Sequence, residues 1–299
     1  MELQGIFPPL TTPFYASGAV ALDHLRENIR KYNQTGLAGY VVVGSTGESV
    51  YLREDEKLLV WETVREAAAP EKILIAGTGL ESTAETIALT RRAASLGYQV
   101  AMVKTPHYFK PQMTEAALEE HFRRVADASP IPILIYSVPQ FTGLPVEAGL
   151  VARLSEHPNI IGIKESSGNV EHVTRMVVES RAGFHVLVGS APTLYPSLAI
   201  GAAGAVLAAA CALPQLCFAI YEAFRRGNHE SARRLQHELI GPALAVTAKH
   251  GIAGLKCAMD LLGYYGGPVR APLLPASAEA QNELRTIFAP LTTWAVASG

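Results

Sequence analysis

The sequence predicts an α/β fold, a (β/α)8 TIM barrel with a C-terminal helical extension. Three observations predict it: short apolar runs alternate with longer amphipathic segments, the runs number eight, and only helix-like segments follow the eighth. In order the runs are GIFPPL, GYVVVG, KILIAGTG, QVAMVKT, IPILIYSVP, IIGIKES, HVLVGS and AGAVLAA. Strands that alternate with helices imply a parallel sheet, and eight such units close naturally on themselves.

The intervening segments read as helices. Asp55 to Ala69 places Leu58, Leu59, Val60 and Val64 near helical spacing, and Ser82 to Leu96 opens on Ser82 as an N-cap with Glu85 three residues on. After Leu213 the strand signals stop, and Gln215 to Arg226, His229 to Ile240, Ile252 to Leu262 and Ala278 to Phe288 all read as helices. No low-complexity linker interrupts the chain. Residues 1–212 are therefore expected to form the barrel, and 213–299 a helical extension of the same catalytic domain.

Composition narrows the function. The chain has 299 residues, 49% of them hydrophobic and 17% charged, which is ordinary for a large globular core. A formal net charge of -2 gives no field for nucleic acid or an anionic membrane, and the Arg91-Arg92 and Arg233-Arg234 pairs read as solvated helix faces. Cys211, Cys217 and Cys257 are odd in number and form no C-x-x-C pair, so they read as core residues in a reducing cytosol. The N-terminal MELQGIFPPL has no signal or transit pattern, and the longest apolar stretch, Ala202 to Leu213, is too short to span a bilayer. A cytoplasmic protein is expected.

The chemistry gathers at the strand ends. Lys164 closes the apolar run IIGIKES, where an arbitrary lysine would simply carry its head into water. In a barrel of this kind, however, the active site lies at the C-terminal ends of the strands. Tyr136 closes the fifth run, and Ser45 and Thr46 follow the second inside GSTGE, so four polar or reactive side chains share one rim. A desolvated lysine has its ammonium form disfavoured, which frees the amine to attack a ketone. A tyrosine hydroxyl can pass protons, and the GSTGE turn offers hydroxyls and N–H groups to a 2-oxo acid carboxylate. Together these parts fit carbonyl chemistry through a Schiff base, with no cofactor other than the lysine imine itself.

Other chemistries find less support. Lys104 also ends a strand, but its inside or outside parity is ambiguous. The nine histidines form no metal-ligand pattern, so no metal is expected. GTG at 77–79 and GAAG at 201–204 lack the dinucleotide fingerprint, and the loops GSAPTLYP and AAACALP hold few glycines for a phosphate.

Four motifs in order, GSTGE, TPHY, YSVPQFTG and GIKESSGN, resemble the dihydrodipicolinate synthase/N-acetylneuraminate lyase family of class I aldolases, with a likeness running from GIFPPLTTPF to GYYGGPVRAPL. The resemblance implies that Lys164 forms a pyruvate imine, Tyr136 shuttles protons, and Ser45 and Thr46 hold the carboxylate. It also implies that Tyr108 reaches into a neighbouring subunit's site within a homotetramer built as a dimer of tight dimers. Gly189 in the seventh run and Val206 in the eighth complete the candidate substrate-binding set with Phe141.

Phe141 bears on the substrate. Dihydrodipicolinate synthases carry a motif like Y-N-V-P-x-R-T-G, whose arginine binds the carboxylate of aspartate semialdehyde, and a phenyl ring cannot supply that bidentate fork. The positions lining the feedback site of some of those enzymes hold Val50, Glu54, Lys57 and His107, so inhibition by lysine is not expected. GLKCAMDLLGYYGGPVRAPL and SPIPILIYSVP look instead like 4-hydroxy-2-oxoglutarate aldolases. The expected activity is therefore cleavage of 4-hydroxy-2-oxoglutarate to pyruvate and glyoxylate. The alternatives are condensation of pyruvate with aspartate semialdehyde by a dihydrodipicolinate synthase, another 2-oxo acid or sugar acid aldolase, and a barrel that binds ligand without catalysis.

Overall fold

A computed structural model of the chain describes residues 2–294. Its eight strands are β1 (Gly5–Phe7), β2 (Gly39–Val42), β3 (Ile73–Gly77), β4 (Val100–Lys104), β5 (Ile133–Ser137), β6 (Ile160–Glu165), β7 (His185–Val188) and β8 (Gly204–Val206). They form one sheet in the order β1-β8-β7-β6-β5-β4-β3-β2. This is the (β/α)8 barrel that the eight apolar runs predict. Helices α1 (Leu22–Asn33), α2 (Glu54–Ala67), α3 (Thr83–Ser95), α4 (Glu115–Ala128), α5 (Pro139–Thr142), α6 (Ala148–Ser155), α7 (Val170–Glu179) and α8 (Leu194–Ala199) alternate with the strands. The C-terminal helices α9 (Pro214–Arg225), α10 (His229–Leu244), α11 (Gly251–Leu261) and α12 (Ala278–Phe288) come after them. Met1 and residues 295–299, the outer ends of the two expected segments, lie outside the described residues.

The chain divides into two compact units, Ile73–Val206 with the residues up to Gly5, and Ile6–Lys72 with the chain from Leu207 on. In the first unit, β4 and β5 are buried along almost their whole length, which is why their sequences are continuous apolar runs rather than alternating ones. Ser82 caps α3 as expected, its Oγ accepting from the Glu85 N–H at 3.3 Å. In the second unit, the segment just after β1 is tied to β2 by a parallel bridge between Pro9 and Val41, with the Val41 N–H donating to the Pro8 carbonyl at 3.0 Å. The α10 helix runs past its expected end at Ile240, through Pro242, and continues as a π-turn over Ala245–Lys249. The Gly241-Pro242 pair reads locally as a stop signal, and packing of the buried Pro242, Ala243 and Val246 overrides it.

His121 on α4 couples the first unit to pH. Its Nδ1 lies 2.9 Å from the Thr83 hydroxyl, its Nε2 is buried without a hydrogen-bond partner, and desolvation lowers its pKa from 6.5 to about 4. A histidine held neutral in the fold protonates first in the unfolded chain. Its contribution to stability is therefore constant well above pH 6.5, falls as pH drops from there towards about 4, and levels off below that. We expect this group to make the protein about 2 kcal/mol less stable at pH 5 than at pH 7.5. Urea unfolding of wild type and His121→Leu at both pH values checks this, since an equal fall in the two proteins would acquit the histidine.

No helix among the described residues is long and apolar enough to cross a membrane.

Candidate active site

The centre of the first unit is the join between β5 and β6. Their partners are Ile133↔Ile160, Leu134↔Gly162, Ile135↔Ile163, Tyr136↔Lys164 and Ser137↔Glu165. Ile161 is passed over, so β6 carries one extra residue at a bulge. Without it Lys164 would pair with Ser137; with it Lys164 stands level with Tyr136. Next to the bulge, Gly162 leaves room for the neighbouring strand, because a Cβ there would run into the His185 carbonyl.

Tyr136 is 4% exposed and Lys164 5%, and the Lys164 Nζ lies 4.0 Å from the centre of the Tyr136 ring. Among the described residues its ammonium meets that ring and no carboxylate. A lysine buried with no carboxylate beside it is rare, since lysines are almost never fully buried unless paired. Glu165 follows it in the chain and points to the opposite face of the strand. Its Oε1 accepts from the Ser167 N–H at 2.9 Å, its Oε2 is buried without a partner, and burial pushes its carboxyl above the usual range against the pull of Ser167.

The register resolves the parity of Lys104, which pairs with Tyr136 and so stands on the same level as Lys164. What separates the two lysines is their company. Lys104 Nζ is 3.8 Å from Glu81 Oε1 and 3.4 Å from His107 Nδ1, and Glu81 Oε2 accepts the N–H groups of His107 at 2.7 Å and Tyr108 at 2.9 Å. Lys104 thus belongs to the loop that carries Tyr108.

The unit also holds Gly189, Val206, Tyr108 and Phe141. Gly189, just past β7, donates its N–H to the Glu165 carbonyl at 2.7 Å, and a Cβ on it would overlap Ser166. Val206 ends β8 and is buried. Tyr108 and Phe141 are on the surface of the single chain, 78% and 67% exposed, and Tyr108 meets Phe109 edge to face at 5.1 Å. Phe141 rides on the short helix α5, which ends on Gly143 in the left-handed region at φ +68°.

In the second unit the GSTGE motif forms a tight 3-10 turn after β2. The Gly47 N–H donates to the Gly44 carbonyl and the Glu48 N–H to the Ser45 carbonyl, both at 3.0 Å. Ser45 is half-buried and Thr46 buried. Two ion pairs, built from residues far apart in the chain, adjoin this turn. Lys256 of α11 and Glu48 are paired at 2.6 Å, each side chain 1% exposed. Arg270 forks onto Glu56 at 2.7 and 2.8 Å and also donates to the carbonyls of Tyr51 and Gly18. That fork holds the Glu56 carboxyl below its usual range. Charged residues inside GSTGE and GLKCAMD were the available signal, but the residues they pair with lie more than 200 positions away.

A (β/α)8 barrel with a buried, anion-free lysine against a tyrosine ring at the ends of neighbouring strands is the apparatus of a class I aldolase, a carbon–carbon lyase working through a lysine imine. The chain belongs to the Dihydrodipicolinate synthetase family, whose profile matches residues 2–290. It is 38% identical over 290 residues to the 4-hydroxy-tetrahydrodipicolinate synthase of Methanothrix thermoacetophila, covering 97% of each chain. Among solved structures, dihydrodipicolinate synthase from Thermotoga maritima superposes with a TM-score of 0.93 at 26% identity, over 98% of this chain and 100% of that one. The enzyme from Aquifex aeolicus gives 0.91 at 31% identity, over 99% of this chain and 100% of that one.

Proposed function

We propose that the protein is a pyruvate-dependent aldolase in which Lys164 forms the imine. The observation that carries this is the buried Lys164 ammonium, set against Tyr136 and, among the described residues, paired with no carboxylate. The amine adds to the keto carbon of pyruvate, and loss of water leaves the imine. The methyl group then gives up a proton to form an enamine, whose carbon attacks an aldehyde. Hydrolysis releases the product and returns the amine. Tyr136 is the proton relay, Ser45 and Thr46 hold the pyruvate carboxylate, and Gly189 and Val206 line the substrate's path. No cofactor or metal takes part in this scheme.

For the aldehyde, the named activity of the relatives favours aspartate semialdehyde over the glyoxylate chemistry expected from the sequence, so condensation to 4-hydroxy-tetrahydrodipicolinate is the leading reading. Phe141 supports the second one, cleavage of 4-hydroxy-2-oxoglutarate, because it leaves the semialdehyde carboxylate without an arginine. Assaying both reactions side by side decides between them. On the leading reading wild type condenses the semialdehyde, and Phe141→Arg raises kcat/KM for it by about 30- to 1000-fold, the worth of a charge-assisted contact. Negligible condensation beside robust cleavage would establish the second reading. An unchanged kcat/KM in Phe141→Arg would mean that another group holds the carboxylate.

The exposed Tyr108 and Phe109 support a homotetramer in which Tyr108 enters a neighbour's site. Three free cysteines, two of them buried, support a cytoplasmic setting.

A further inference from the structure

The GSTGE turn holds an improbable backbone. It is flanked by two non-glycine residues in the left-handed region, Val43 at φ 61° and Glu48 at φ 54°. A β-branched residue there is a true outlier, and such strain persists only where the surroundings over-determine it. The surroundings converge on one side chain. Lys256 Nζ lies 2.6 Å from Glu48 Oε1, donates to the carbonyls of Thr12 and Pro268 at 2.8 Å each, and sits 4.5 Å from the centre of the Phe14 ring. Thr12 in turn donates its hydroxyl to the Gly47 carbonyl at 2.7 Å. The other Glu48 oxygen accepts the Arg270 N–H at 2.9 Å. Gly47 itself packs so closely that a Cβ would come within 2.9 Å of the Leu10 carbonyl. Lys256 therefore grips the turn twice, directly through Glu48 and indirectly through Thr12.

A buried ion pair is a weak source of stability, since desolvation cancels most of the attraction, but it is a stiff constraint on the atoms it joins. Burial pushes the Lys256 ammonium towards neutrality, and Glu48 opposes that. Such a pair in the barrel's second unit, contacting the one turn that carries two candidate substrate hydroxyls, serves geometry.

We propose that Lys256 and Glu48 are positioning residues whose ion pair fixes the Ser45–Gly47 turn in the shape that presents Ser45 and Thr46 to the pyruvate carboxylate. This rests on the imine reading of Lys164.

The test is borohydride trapping of the Lys164–pyruvate imine over a range of pyruvate concentrations, with the adduct mapped by peptide mass. Glu48→Gln keeps an oxygen for the Arg270 N–H and removes the charge; Lys256→Met removes the ammonium at similar length. In both, the half-saturating pyruvate should rise about 10- to 100-fold, the cost of misplacing a binding group by a fraction of an ångström to one ångström. The fraction of Lys164 trapped at saturating pyruvate should stay at the wild-type level. The effect should also be coupled: in a background that carries both Ser45→Ala and Thr46→Val, Glu48→Gln should change half-saturation by less than about 3-fold, because the hydroxyls it positions are already gone. A purely structural pair would give additive losses. Half-saturation at the wild-type concentration in folded Glu48→Gln, or full additivity with the Ser45→Ala and Thr46→Val pair, overturns the proposal. No adduct on wild-type Lys164 overturns the imine reading itself, a result that cannot be confused with a shifted concentration.

Discussion

Lys164→Ala should lower turnover by about 10⁴-fold or more while leaving the fold intact. Nucleophile and reaction are inseparable in an imine mechanism, so no neighbouring group can restore the lost covalent step. The fold survives because the Lys164 ammonium anchors nothing by an ion pair: its contact is the face of the Tyr136 ring. Removing the side chain leaves the pairing of β5 and β6 through Leu134, Ile135 and their β6 partners in place. The measurements are steady-state turnover, the thermal midpoint, and peptide mapping after borohydride reduction with pyruvate. In wild type the reduced adduct should sit on Lys164, and in Lys164→Ala it should vanish. An adduct on Lys104, on the same level of the barrel, would transfer the nucleophile's role there.

Tyr136→Phe should cost about 10²- to 10⁴-fold in kcat, the range for removing a general acid–base group. The change takes away one oxygen and keeps the ring, so the surface against which Lys164 packs is preserved and stability should barely move. The loss should appear in kcat with KM for pyruvate little changed, because a relay acts on the transition state more than on binding. An unchanged kcat would reduce Tyr136 to packing, and a loss confined to KM would make it a binding residue.

The place of these two residues was legible in the sequence, because a polar residue that closes an apolar run is at a strand end, and the register pairs Tyr136 with Lys164 there. The eight strands were legible for a related reason, since β4 and β5 are buried on both faces and spell themselves as VAMV and ILIY. The residues missed are those whose meaning depends on distant partners. Glu48 and Lys256 are 208 positions apart and meet only in the fold. Local stop signals also misled at Gly241-Pro242, where tertiary packing carried α10 onward. Substrate choice was the least legible, because Phe141 reports the loss of one contact without naming what replaces it.

The bulge at Ile161 bears on how this barrel can change over evolutionary time. It decouples the two halves of β6: ahead of it the strand aligns through Ile160, and behind it through Gly162, Ile163, Lys164 and Glu165. A deletion of one residue at that point would leave the latter half where it is and simply straighten the ladder. The lysine's alignment with its tyrosine is thus insulated from a one-residue deletion at the bulge, while the chain just ahead of β6 is held in place by the Asn159 amide, which donates to the carbonyls of Ala126, Ser129 and Ile131.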